Sequence, residues 1–169
     1  YDPTAVEEPM LRLSTAQYPI APNTGTSDFT PWVYVGTNGY LYFGDWAGSS
    51  AVQVSFSLSP GWHTLIAGEY YSGGTYYVVA YLDSSSNAKT VTTTTLPQLY
   101  ENGFIYNDIG TECSNDWPNT PSGWFFYNSI IAYVAFFPGG ASVGSYLASQ
   151  AFSIASQQES SVPGYAVDY

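Results

Sequence analysis

The chain has 169 residues, of which 45% are hydrophobic and 9% are charged, and 13 acidic residues against 2 basic ones give a formal net charge of −11. This length fits one domain and supplies enough apolar material for a core that needs no disulfide or metal. The charge excludes nucleic-acid binding, which requires clustered Lys and Arg against phosphates, and it disfavours binding to an anionic membrane surface.

Alternating apolar and polar residues, separated by short turn motifs, dominate the chain from residue 32 onwards. Asn38-Gly39 and Gly73-Gly74 are each typical of a tight hairpin turn. The segments 44–50 and 97–123 are predicted as loops, the second interrupted only by one short strand. In chain order the predicted strands are residues 32–35, 40–43, 52–58, 62–71, 75–82, 89–96, 103–109, 124–127 and 130–137.

This pattern predicts an all-β, two-sheet antiparallel sandwich, since many short strands occur with turn signals at close intervals and no βαβ alternation is present. We expect an N-terminal arm at residues 1–10, the β-sandwich domain at 11–158 and an extended segment at 159–169. Loosely helical spacing predicts a short C-terminal helix within 142–158. Each end of the chain would either add to the sheet edge of a neighbouring copy or simply fray.

The composition also bears on where the protein works. Cys113 is the only cysteine, so an intrachain disulfide and a cysteine-based metal site are excluded. The chain begins Tyr1-Asp2-Pro3, which predicts a processed product or an excised domain.

A surface built from Ser, Thr, Asn and Tyr keeps its hydrogen bonds when carboxylates protonate. We therefore expect an extracellular location, at a cell or virion surface, in an acidic or hot medium. The apolar run at 130–137 is too short to span a membrane.

Three stretches resemble the laminin-G-like, or concanavalin-A-like, lectin and glucanase domains. The first is the hairpin TNGYLY at 37–42. The second is SPGWHTL at 59–65, followed by YLD at 81–83 with Ser84 where that family usually has Gly. The third is Ile109-Gly110 followed by FFYNSIIAYV at 125–134, with Ser129 in another position where Gly is usual. Together they cover about residues 30 to 150.

The resemblance implies a jelly-roll-like topology and a set of functional expectations. Members of the family bind glycans or proteins, often with calcium, and a subset hydrolyses polysaccharides. The hydrolytic branch carries its carboxylates as Glu-x-Asp-x-x-Glu on one strand, a spacing that this chain does not contain. Glu69 stands alone between Gly68 and Tyr70, although catalytic carboxylates can also come from separate strands.

Aromatic side chains are the candidate ligand-binding groups, since their faces stack on sugar rings and anchor protein interfaces. Trp46 and Trp117 are expected in exposed loops, with Tyr70 and Tyr71 at the tip of a hairpin. Calcium is the one cofactor with a candidate site. Its ligands would be Asp108, Glu112 and Asp116, which are four residues apart in a predicted loop. The alternative is that these acids cap turns.

His63 is the only histidine, so a Ser-His-Asp triad or a His-bearing zinc site would have to use it. The resemblance instead implies a structural strand residue whose imidazole bonds to neighbouring backbone.

Two functions follow from these features, and a third stays as a further alternative. The first is a non-catalytic surface-recognition module for glycan or protein. The second is a structural subunit of an extracellular filament, surface layer or virion, which binds copies of itself. The scarcity of Lys favours the second, because Lys commonly protects sheet edges from pairing. The third is a polysaccharide hydrolase that uses Glu69.

Overall fold

The computed structural model describes residues 8–14, 29–101, 106–114, 117–120, 123–126, 130–131 and 134. In this part of the chain the protein is mostly β, and helix is limited to one turn. In chain order the elements are β1 (Glu8–Ser14), β2 (Phe29–Val35), β3 (Tyr40–Ala47), β4 (Ser50–Ser57), β5 (Leu65–Ser72), β6 (Thr75–Leu82), β7 (Ala88–Thr93), α1 (Gln98–Glu101), β8 (Tyr106–Ile109), β9 (Thr111–Ser114) and β10 (Gly123–Phe126).

The strands form antiparallel sheets. The larger sheet has five strands in the order β4-β3-β2-β1-β8, and the second has three in the order β5-β6-β7. β9 and β10 pair with each other as a two-stranded sheet. Both predicted hairpins are confirmed. Gly39 has a φ of 75° in the turn between β2 and β3, and Gly73 and Gly74 both have positive φ between β5 and β6, as a two-residue hairpin turn requires.

One core lies between the larger sheet and the three-stranded sheet. In β4, buried Val52, Val54 and Phe56 alternate with more exposed neighbours, as the sequence predicts for a half-buried strand. Across the core, Val78 and Ala80 of β6 are fully buried. The arrangement is like that of a β-sandwich, with side chains of two sheets filling the space between them.

The predicted loop at 44–50 is wrong, because β3 continues to Ala47 and only a tight turn separates it from β4. Gly44 allows this continuation. Its φ is 150°, and a Cβ at this position would lie 2.2 Å from the carbonyl oxygen of Val52 on the paired strand. Gly44 was included in the predicted loop, but in the structure it permits close pairing of β3 with β4.

Three other boundaries differ from the prediction. Residues 62–64 precede β5 and are not part of a strand. The predicted loop at 97–123 contains α1 and β9 as well as the expected short strand. Residues 130, 131 and 134 lie outside strands, in the segment predicted to be the last one. Alternation is weak in these segments, so the local pattern does not fix where a strand begins or ends.

The N-terminal arm was expected at 1–10, and β1 begins at Glu8 and pairs with both β2 and β8. The predicted C-terminal helix within 142–158 and the extended segment at 159–169 lie outside the described residues. No helix in the described ranges has the length and apolar character that crossing a membrane requires.

Candidate functional site

Three tyrosines form a continuous row at the tip of the β5–β6 hairpin, which we call the tyrosine row. Tyr71 and Tyr76 are paired across the two strands with ring centroids 4.7 Å apart. Tyr100 of α1 continues the row, with its centroid 5.1 Å from that of Tyr76. Tyr71 is 49% exposed and Tyr100 is 42% exposed. The row therefore presents aromatic surface to solvent at one end of the molecule.

Two acidic residues, which we call the acid pair, lie beside the row on the inner faces of the two sheets. Asp45 of β3 pairs with Val52, and Glu69 of β5 pairs with Val78, both of which belong to the core. Since side chains alternate along a strand, Asp45 lies on the same face as Phe43 and Ala47. The chain thus places one carboxyl group on each sheet, facing the interior.

Asp45 is fully buried and is held by backbone donors. Its Oδ1 accepts a hydrogen bond from the Trp46 amide at 2.7 Å, and its Oδ2 accepts one from the Leu99 amide at 2.6 Å. The second bond ties the start of α1 to the end of β3, next to the bridge between Ala47 and Pro97. Asp45 therefore positions the helical turn that carries Tyr100.

Glu69 has a less complete set of partners. Its Oε1 accepts a hydrogen bond from the indole Nε1 of Trp32 at 2.7 Å, whereas its Oε2 is buried with no hydrogen-bond partner among the described residues. Burial raises the pKa of the Glu69 carboxyl well above its ordinary value, and the nearby Asp45 charge raises it further, while the Trp32 bond acts in the opposite direction. The surroundings of Glu69 therefore favour its protonated form.

The acid pair also affects the pKa of a tyrosine in the row. Burial, followed by the Glu69, Tyr76 and Asp45 charges, raises the pKa of Tyr100 to about 12. Tyr100 thus offers its ring face with a neutral hydroxyl group at physiological pH. Asp45, in contrast, is closed to large molecules, because it has no exposed surface.

The structure separates the four aromatic residues predicted to bind a ligand. Trp46 is half-buried and its indole Nε1 donates to the Gly48 carbonyl at 3.0 Å. Tyr70 and Tyr71 are neighbours in β5, so their side chains point to opposite faces of the sheet. Tyr70 stacks on Tyr77 at 4.7 Å on the face away from the tyrosine row. One ligand surface cannot contact all of these residues.

The expectation that Trp117 is exposed is wrong, because it is only 3% exposed. It packs on the outer face of the larger sheet with Tyr34, Tyr42 and Trp46, and we call these four residues the aromatic cluster. The segment 117–120 is held there by the Tyr34 hydroxyl, which donates to the Pro118 carbonyl at 2.9 Å. Its loop position suggested exposure, but hydrogen bonds to the sheet fold it inward.

His63 lies outside a strand, contrary to the expectation, but its imidazole does contact backbone. Nε2 is 2.8 Å from the Ser59 carbonyl, and Nδ1 is 2.8 Å from Oδ2 of Asp83. A catalytic triad requires a serine hydroxyl on the second ring nitrogen, and here a backbone carbonyl occupies that position. Asp83 also accepts from the Thr64 amide at 2.8 Å, so His63 and Asp83 together join two turns.

Two of the three calcium candidates lie in strands. Asp108 lies in β8 opposite Arg12, and Glu112 lies in β9 opposite Phe125, instead of in one loop. Asp116 and the side chains of Asp108 and Glu112 lie outside the described residues. Within the described ranges, no group of three or more potential metal ligands is present.

Comparison with known proteins found no matching family model, no similar curated protein and no similar solved structure. The candidate site therefore depends on the geometry of this chain alone. The sequence predicted neither the burial of Asp45, which it placed in a loop, nor the contact of Tyr100 with the row. Asp45 could have been found by extending the alternation of Leu41 and Phe43 through Gly44, whereas nothing local in the sequence brings Tyr100 to the β5–β6 hairpin.

Proposed function

We propose that this chain is a non-catalytic extracellular recognition module whose tyrosine row binds the sugar rings of a neutral glycan. The proposal includes a jelly-roll-like fold of the laminin-G-like and concanavalin-A-like type, which residues 59–65 and 81–83 resemble. The observation that carries it is the row itself: three phenol rings in consecutive contact, of which Tyr71 and Tyr100 are largely exposed.

The chemistry of the row matches that of a sugar. A phenol ring presents an apolar face and a hydroxyl at its rim, and a sugar ring presents an apolar C–H face bordered by hydroxyl groups. Stacking and hydrogen bonding can therefore occur in the same contact. Tyrosine also loses little side-chain entropy on binding, because few torsions have to be fixed.

The charge of the chain selects the class of glycan. A formal net charge of −11 with only two basic residues repels sulfated and uronic-acid polysaccharides. Beside the row, Asp45 is fully buried, and burial raises the pKa of Glu69 and so favours its neutral form. A neutral polysaccharide meets neither an opposing charge nor the cost of burying one.

The test is binding to an array of neutral β-glucans, mannans and xylans, followed by calorimetry on the best oligosaccharide. We expect Tyr71→Ala and Tyr100→Ala each to weaken binding about tenfold or more, which corresponds to about 1.4 kcal/mol. The matched control is Tyr40→Ala, because Tyr40 is 41% exposed but lies at the other end of β3 from Asp45. Circular dichroism confirms that each variant is folded.

Two results would overturn this function. One is a wild-type protein that binds none of the neutral glycans on the array. The other is an equal loss of binding in Tyr40→Ala and Tyr100→Ala, which would show that the row has no special part in binding.

A second candidate function is a structural subunit of an extracellular filament, surface layer or virion. It is supported by exposed aliphatic side chains, since Ile130 is 72% exposed and Ile109 is 50% exposed. One contact opposes it: Lys89 of edge strand β7 donates to the Ser55 carbonyl of edge strand β4 and lies over the Phe56 ring. The chain's only lysine thus protects that edge. Filaments or shells in negative-stain images would favour assembly, and a persistent monomer would exclude it.

A further inference from the structure

We propose that Asp45 and Glu69 form a proton-holding pair inside the core, in which Asp45 carries the negative charge and Glu69 keeps its proton in the native state. This role of the pair is separate from glycan recognition and does not depend on it. Its consequence is that folding takes up a proton at neutral pH, so the molecule is built to be most stable in acid.

The hydrogen bonds decide which member of the pair is charged. Both oxygens of Asp45 accept from backbone amides, Trp46 at 2.7 Å and Leu99 at 2.6 Å. Amide donors stabilise the ionised form of a carboxyl group and gain nothing from a proton on it. Asp45 therefore fits the role of the carboxylate, although it is fully buried.

Glu69 has the opposite arrangement. Only Oε1 receives a hydrogen bond, from Trp32, and the buried Oε2 has no partner among the described residues. An ionised Glu69 would leave a charged oxygen without water or donors, beside a second negative charge. Two carboxyl groups that share a poorly solvated site do not both ionise easily, so one keeps its proton. The raised pKa of Glu69 agrees with this assignment.

The groups that act on Glu69 or on its neighbour Tyr100 are Asp45 of β3, Tyr76 of β6 and the neutral indole of Trp32 on β2. Lys89 of β7 pairs with Ala80, whereas Glu69 pairs with Val78, two residues earlier in β6. The Lys89 amine is bound at the edge of β4, so Lys89 does not neutralise the Glu69 carboxyl.

The sign of the pH dependence follows from the direction of the Glu69 shift. In the unfolded chain Glu69 releases its proton near its ordinary pKa of 4.5, whereas the native protein retains it to higher pH. Below pH 4.5 both states are protonated and the stability from this site is fully present. As pH rises towards the native pKa of Glu69, that stability is progressively lost.

Infrared spectroscopy tests the protonation state directly. We expect wild-type protein at neutral pH to show the carbonyl stretching band of a protonated carboxylic acid. The band should shift when glutamate is labelled with carbon-13 and should be absent from Glu69→Gln, which keeps the shape of the side chain but cannot titrate. The labelled wild type shows whether any of the six glutamates is protonated, and Glu69→Gln assigns the band to Glu69.

Three results would overturn the proposal. The first is the absence of such a band at neutral pH, and the second is a band that shifts with labelled aspartate instead of glutamate. The third is a melting temperature that changes with pH in the same way in the wild type and in Glu69→Gln. We expect instead that the melting temperature of the wild type falls by several degrees relative to Glu69→Gln between about pH 4 and about pH 8.

Discussion

The aromatic cluster and the tyrosine row use the same kinds of residues but end in opposite environments. In the cluster, Tyr34 is fully buried and stacks on Tyr42 at 5.0 Å, and Trp117 covers them from the segment 117–120. In the row, ring contacts of similar length leave Tyr71 and Tyr100 largely exposed. Aromatic content alone therefore does not indicate a binding surface.

The difference lies in what covers the rings. Segment 117–120 bonds to the larger sheet through several groups: the Thr37 amide donates to the Asn119 carbonyl at 2.9 Å, and Asn119 Nδ2 donates to the Tyr42 hydroxyl at 2.7 Å. In the row, α1 contributes Tyr100 itself, and Tyr71 and Tyr100 stay exposed. The cluster thus contributes to stability, and the row is available for recognition.

The largest expected difference between the two regions is in stability. Trp117→Ala should lower the free energy of unfolding by about 3–5 kcal/mol, because it removes a buried indole from between Tyr34 and Trp46. Tyr100→Ala should lower it by only about 1 kcal/mol, as expected for a half-exposed side chain. Urea denaturation measures both values, and equal losses would contradict the division into a structural and an exposed region.

A smaller difference is expected for hydroxyl groups. Tyr42→Phe removes an oxygen that accepts from Asn38 Nδ2 at 2.9 Å and from Asn119 Nδ2 at 2.7 Å. Because both asparagines are exposed and their amides can turn to water, we expect a loss of about 1 kcal/mol, at the low end for such bonds. Tyr71→Phe is the control, with an expected change within about 0.5 kcal/mol. A cost for Tyr71→Phe as large as that for Tyr42→Phe would show that the row is also structural.

Local patterns in the sequence predicted those parts of the fold that depend on local chemistry. Alternation in β4 and the two hairpin turns at Asn38-Gly39 and Gly73-Gly74 require only a few neighbouring residues. The same logic failed at Gly44, where pairing across the strands, not composition, determines how far β3 extends.

The candidate site was harder to predict because it depends on contacts between distant parts of the chain. Asp45 and Leu99 are 54 residues apart, and Trp32 and Glu69 are 37 apart. Tyr71 was predicted as a binding residue from its hairpin position, but Tyr100, which contacts Tyr76 at the other end of the row, comes from a segment predicted to be a loop. Trp117 shows the converse, since long-range hydrogen bonds buried a residue whose local context indicated exposure.

The smallest effect expected is a change in alkaline titration at Tyr100, which distinguishes the row from freely solvated tyrosines. Its pKa of about 12 lies above the ordinary value of 10.0, so the native state holds the phenol proton more tightly than the unfolded chain. Stability from this group is therefore present below pH 10 and is lost as pH rises towards 12. Tyr100→Phe should remove one step near pH 12 from the ultraviolet titration curve and should leave stability at neutral pH nearly unchanged. Because Tyr100 is half-exposed, water screens the effect, and the variant should be only slightly more stable than the wild type above pH 10. If the amplitude of the titration near pH 12 were the same in Tyr100→Phe, another tyrosine would be responsible, and the acid pair and Tyr76 would not influence the row through Tyr100.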